Sequence, residues 1–197
     1  LPDTADPTIV IVPGLRDHVA EHWQTLLAER LDKVRTVPPL EHDKLGLAAR
    51  IAALDAVVAD VDGPVVLVAH SAGVMITVHW AQHNQRPVRA ALLATPADVG
   101  TPMPSGYPTP EELAADGWLP IPRRQLPFPS IVAASTTDPL AAYRRVAGMA
   151  EVWGSRLVDL GDVGHLNPAS GYGEWPRAQE LLDELLAATA TGVQAAR

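Results

Sequence analysis

Two kinds of hydrophobic segment alternate along the chain. Thr8-Ile-Val-Ile-Val12 is an unbroken β-branched run closed by Pro13-Gly14, which predicts a strand ended by a turn. Trp23, Leu26, Leu27 and Leu31 follow at helical spacing, and Val34–Val37, stopped by Pro38-Pro39, reads as a second strand. Leu47, Ile51, Leu54, Val58 and Val61 recur at alternating steps of four and three residues, the apolar stripe of an amphipathic helix. Pro64–Ala69 is apolar without polar alternation, so it predicts a strand buried on both faces. A helix over 72–84, strands at Val88–Thr95, Ser130–Ser135 and Arg156–Leu160, and helices over 139–151 and 175–189 complete the pattern.

Strand and helix alternate about six times, with strands too apolar for a half-exposed sheet. This predicts an α/β protein of three layers, α/β/α: a mostly parallel sheet of about six strands with helices on both faces. Ligands of such sheets bind beyond the carboxyl ends of the strands. The length of 197 residues fits one domain spanning 1–197. The rhythm breaks once. Between Pro96 and Pro129 lie seven further prolines and Gly100, Gly106 and Gly117, and only Thr109–Gly117 offers a short helix. A connection this long is a candidate lid or binding loop at 96–129; a surface excursion packed by Tyr107, Trp118 and Phe128 is the competing expectation.

Composition narrows the function. A net charge of −8 gives no attraction for a phosphate backbone or an anionic membrane, so neither nucleic acid nor membrane is an expected partner. No apolar run reaches the roughly 18 residues of a spanning helix, and Leu1–Pro7 lacks the basic and apolar regions of a signal peptide. With no cysteine, disulfides, thiolate catalysis and Cys-based zinc sites are excluded. The expectation is a soluble, cytoplasmic protein.

The candidate chemistry follows the strands. His70-Ser71-Ala72-Gly73 stands between the buried strand and a helix, where the nucleophile elbow G-x-S-x-G requires small residues around a strained serine. Gly73 supplies one of them and Ala69 replaces the other glycine; the competing reading is a serine that caps the helix. A serine nucleophile needs a base and the base an orienting carboxylate. In the order Ser, acid, His, each after a strand, these are Ser71, Asp138 and His165, and no other histidine follows Asp138. Asp138-Pro139 also reads as a helix N-cap and first helical position, and Asp159 and Asp162 are rival acids. An oxyanion hole would use the N–H groups of Ala72 and of Leu15, which follows the close-approach glycine Gly14. Tyr107, Trp118 and Leu140 are candidate pocket residues, with Met103 and Phe128 also plausible on the loop.

One motif competes. His18-Val-Ala-Glu21-His22 matches H-x-x-E-H, in which two helical histidines bind zinc and the glutamate is the base. Here it precedes the helical stripe that starts at Trp23, so a helix-start and a loop histidine are the bland alternative. His70 is expected to be a hydrogen-bonded structural residue, and the His79/His83 pair to be packing.

The runs Leu126-Pro-Phe-Pro-Ser130, Ala134-Ser-Thr-Thr-Asp138-Pro139, Trp153-Gly-Ser155, Gly164-His-Leu-Asn-Pro168 and Ser170-Gly-Tyr-Gly-Glu-Trp175 together resemble the retinoblastoma-binding-protein-9-like small serine hydrolases, a group within the α/β-hydrolases. Val12-Pro-Gly14, His22-Trp23 and Val68-Ala-His-Ser-Ala-Gly73 are similar to its amino-terminal blocks. The resemblance covers about residues 8 to 186. It implies an α/β-hydrolase fold with a triad at Ser71, Asp138 and His165. Ala69 departs from the family's glycine, and Leu140 stands where an aromatic is common. The Leu-x-Cys-x-Glu segment behind the family name is impossible in a chain without cysteine, so no pocket-protein partner is expected. The resulting expectation is a cofactor-free serine hydrolase, carboxylesterase-like, that cleaves a small ester or less readily an amide through an acyl-enzyme. A non-catalytic binding protein on the same scaffold is the alternative from another class, and a zinc hydrolase using His18, Glu21 and His22 the third.

Overall fold

The computed structural model describes residues 6–190. The apolar runs form six strands: β1 (Thr8–Val12), β2 (Val34–Thr36), β3 (Val65–Ser71), β4 (Ala90–Pro96), β5 (Ser130–Ala134) and β6 (Arg156–Asp159). They pair in the order β2-β1-β3-β4-β5-β6, and every neighbouring pair is parallel. Six α-helices accompany them: α1 (Trp23–Ala28), α2 (Leu47–Ala59), α3 (Ala72–Ala81), α4 (Pro110–Ala115), α5 (Tyr143–Trp153) and α6 (Arg177–Ala190). This is the expected α/β architecture, a parallel sheet between two helical layers.

The period of two along each strand divides the core. Ile9, Ile11, Val66, Val68, Leu92 and Ile131 face one layer, where Trp23 and Leu27 of α1 and Leu181, Leu182 and Leu185 of α6 close over them. Val10, Val12, Leu67, Ala69, Leu93 and Val132 face the other layer, built on α2, α3 and α5. Nine of the ten residues of α3 are buried, because α2 and the 96–129 segment cover its outer side. Such a helix carries no polar face, so its apolar run cannot be told from a buried strand by periodicity alone.

The proline-rich segment is packed. Thr109 caps α4 with a full capping box, satisfying two orphan amide donors at once. Leu113 and Trp118 are fully buried and Phe128 nearly so. The Trp118 indole donates to Leu45 O at 2.7 Å and the Trp153 indole to Pro122 O at 2.9 Å.

Several element boundaries differ from expectation by one to four residues, among them the end of α3 at Ala81 and the starts of β4 at Ala90 and α6 at Arg177. The helix expected from 139 begins at Tyr143, with Ala142 as its N-cap. The Leu140 carbonyl accepts instead from the Asp98 N–H at 3.0 Å. Asp138 accepts from Leu140 N at 2.8 Å, making a local turn in place of a helix cap. β3 also runs two residues beyond Ala69, to Ser71 itself. Among the described residues no helix is long and apolar enough to cross a membrane.

Candidate active site

The carboxyl ends of the strands converge on Ser71. β3 turns directly into α3 there, and Ser71 is held at φ 57°, ψ −125°, a backbone conformation that costs a non-glycine residue about 1–3 kcal/mol. The crossing with β1 keeps the turn tight. A Cβ on Gly73 would overlap the Val12 carbonyl oxygen and come within 2.7 Å of that of Pro13. Gly14 presses from the other side, where a Cβ would lie 3.3 Å from Ser71 Cβ. Ala69 sits fully buried in the sheet core; its extra methyl group is absorbed by packing.

Ser71, His165 and Asp138 form one hydrogen-bonded chain. Ser71 Oγ is 2.8 Å from His165 Nε2, and His165 Nδ1 is 2.9 Å from both carboxylate oxygens of Asp138. A carboxylate can only accept, so Nδ1 carries the hydrogen and Nε2 is left to accept the Ser71 hydroxyl. The side chains of His165 and Asp138 are 6% and 2% exposed, which strengthens both bonds by excluding water. Asp138 serves two donors, His165 Nδ1–H and Leu140 N–H. The rival acids are engaged elsewhere: Asp159 accepts from Gly161 N and Asp162 from the Thr137 hydroxyl.

The loop bearing His165 is anchored at both of its main-chain polar groups. Its N–H donates to Ser170 Oγ at 3.0 Å, and its carbonyl accepts from His70 Nε2 at 2.9 Å. His70 is therefore a structural donor, as its place beside the serine led us to expect. Neither Ser170 nor the direction of the His70 bond could be read from motif spacing. Gln24 was also missed. Its buried amide donates to Val12 O at 3.2 Å and Val68 O at 3.0 Å, tying the carboxyl ends of β1 and β3 together. The only cue was a polar residue inside the apolar stripe of α1.

A cavity of about 140 Å³ opens onto Ser71. Tyr107, Trp118 and Leu140, the expected pocket residues, all line it, with Met103, Val99 and Leu113. Phe128 does not; it is buried in the core between the sheet and α5. Leu15 and Ala72 also line the cavity, and among the described residues neither N–H meets an acceptor. The Leu15 loop is fixed by a turn, Asp17 N to Gly14 O at 3.0 Å, and by an ion pair between Asp17 and the buried Arg50.

Three imidazoles cluster beside the cavity. The His22 and His70 ring centroids are 4.5 Å apart and those of His70 and His165 4.9 Å. Burial, reinforced by repulsion from His165, lowers the His22 pKa to about 4 and pushes that of His70 well below its usual value. The H-x-x-E-H reading fails on geometry. Residues 18–22 precede α1 and His22 is its N-cap, in extended conformation, accepting from Gln24 N, so His18 and His22 do not share a helical face. Among the described residues no three His, Asp or Glu side chains are grouped to hold a metal ion. His79 bonds to Trp118 O and His83 is exposed.

No curated protein matches the sequence. Among solved structures, the chain is similar to a protein from Pectobacterium atrosepticum described as a YdeN-like hydrolase, with 29% identity over 92% of this chain and 91% of that one and a TM-score of 0.77. Est1E from Butyrivibrio proteoclasticus, at 15% identity over 92% of this chain and 88% of that one (TM-score 0.69), and mouse alpha/beta hydrolase domain-containing protein 10, at 16% over 92% and 91% (TM-score 0.70), share the fold. The family described as serine hydrolase matches residues 9–184. Over nearly all of its length, therefore, the chain belongs to the serine hydrolase family.

Proposed function

We propose that the protein is a carboxylesterase-like serine hydrolase of the retinoblastoma-binding-protein-9-like group, acting on small esters in preference to amides. The observation that carries this reading is the unbroken chain from Ser71 Oγ through His165 to Asp138, at the mouth of a cavity. Ser71 attacks the acyl carbonyl while His165 Nε2 takes its proton; Asp138 holds the tautomer and stabilises the imidazolium that forms. The Leu15 and Ala72 N–H groups, already without acceptors, receive the oxyanion of the tetrahedral intermediate. His165 then returns the proton to the departing alkoxide, leaving an ester on Ser71. Water, deprotonated by the same His165, attacks that acyl-enzyme; its proton passes back to Ser71 as the acid leaves.

A fluorophosphonate probe tests the proposal. An adduct mapped by mass to Ser71, abolished in S71A and H165A, is the expected result. A folded wild-type protein that takes no probe and cleaves no ester would instead favour a binding protein on a hydrolase scaffold.

A further inference from the structure

The wall of the Ser71 cavity carries one cation with no hydrogen-bond or ion-pair partner among the described residues. Arg16 lines the cavity and is exposed. Its guanidinium carbon lies 5.8 Å from the centroid of the Tyr107 ring, and among the described residues it has no hydrogen bond or ion pair. The other formally charged wall residue, Asp17, is neutralised by Arg50, whose side chain is 6% exposed. The backbone beneath Arg16 is held by the same residue: the Asp17 N–H closes the turn onto Gly14 O across Arg16, and the Asp17 carboxylate pairs with Arg50. A guanidinium at this distance over an aromatic ring is attracted to the ring face and still has its five N–H donors free to match a carboxylate in two-pronged fashion. The net charge of −8 does not cancel this local site, because charges beyond roughly 10 Å are screened at ordinary ionic strength. Deeper in the cavity Val99, Met103, Leu113, Trp118 and Leu140 offer only hydrocarbon and ring surface.

We infer that the substrate is a small ester that also bears a carboxylate, which Arg16 holds at the cavity mouth against Tyr107 while the hydrocarbon part lies on Met103, Trp118 and Leu140. The inference rests on the hydrolase reading of Ser71 proposed above and adds the chemical class of substrate.

Two ester pairs test it: 4-acetoxybenzoate against its methyl ester, and mono-4-nitrophenyl adipate against its methyl ester. The readout is the ratio of kcat/KM, anionic over neutral, in wild type and in R16Q, R16K and R16E. In at least one pair, R16Q should lower the wild-type ratio by about fivefold at low salt, R16K should keep part of it and R16E should lower it further. Half-molar NaCl should shrink the wild-type preference towards the R16Q value. Protection of Ser71 from the fluorophosphonate by 4-hydroxybenzoate, compared with methyl 4-hydroxybenzoate, gives the same readout without turnover. If Ser71 is labelled but both ratios and the protection are indifferent to R16Q and R16E, the anionic subsite is overturned and the hydrolase reading stands. If wild type takes no probe and turns over no ester, the hydrolase reading falls and this inference with it.

Discussion

The histidine cluster beside Ser71 contains two regions built from the same side chain with opposite outcomes. On the β5–β6 side, His165 faces a carboxylate through Nδ1 and a hydroxyl through Nε2. On the β1–β3 side, His22 and His70 face no carboxylate. His70 Nε2 meets a carbonyl and must carry its hydrogen there; His22 Nδ1 accepts the Gln24 N–H, leaving its hydrogen on Nε2. The two sides thus hold opposite neutral tautomers, each dictated by its partner. Burial keeps His22 and His70 uncharged, so a cation that forms on His165 meets no second cation beside it. On the proposed reading the carboxylate neighbour is what makes His165 the base, whereas His22 and His70, buried without one, hold the backbone in place.

The sharpest way to break this contrast is H165Q. On the proposed reading it should cut kcat for 4-nitrophenyl acetate by about 10⁴–10⁶, while its melting temperature stays close to wild type. D138N comes next, at about 10⁴ in kcat, because the amide preserves the turn to Leu140 but not the charge that stabilises the imidazolium. H70F removes the donor to the His165 carbonyl without touching the reacting atoms. We expect a loss of about 10- to 100-fold in kcat with KM little changed, and partial recovery in H70Q, whose amide can donate again. A large rise in KM with unchanged kcat would place His70 in substrate binding instead.

The smallest effect concerns stability and pH. His22 titrates near 4 when folded and near its ordinary value of 6.5 when unfolded. Between those values the unfolded chain takes up a proton that the folded one refuses, so stability is complete above pH 6.5 and declines as pH falls towards 4. H22N keeps an acceptor for the Gln24 N–H and does not titrate. Its melting temperature should fall less steeply than that of wild type between pH 6.5 and 4.5, a difference on the order of 2 kcal/mol. Parallel pH profiles would remove His22 as a source of acid sensitivity.

The sheet was legible because a parallel strand buried on both faces leaves an unmistakable apolar run, as at Val65–Val68, and because Pro13-Gly14 and Pro38-Pro39 end runs abruptly. Ser71, Asp138 and His165 were legible as candidates because chain order after strands restricts the choice, and Gly73 because a tight elbow tolerates no Cβ. The start of α5 was not. Asp138-Pro139 is a good helix opening locally, but here the Asp138 carboxylate turns onto Leu140 N and the Leu140 carbonyl accepts from Asp98 N, 42 positions away in sequence. The H-x-x-E-H pattern ranked low for a related reason: identical spacing means nothing until the backbone there is helical, and His22 only caps α1.

Local composition and period therefore determined which segments are strands and helices, that the sheet is parallel, and where along the chain a serine, an acid and a base could stand, since these depend on neighbours within a few residues. Tertiary structure alone decided the protonated nitrogen on His70 and His165, the packing of the proline-rich segment onto α3, the clamping of the Leu15 loop by Arg50 and the placing of Arg16 beside Tyr107. Those outcomes are set by distances of about 3–6 Å between residues far apart in sequence, and no local pattern encodes them.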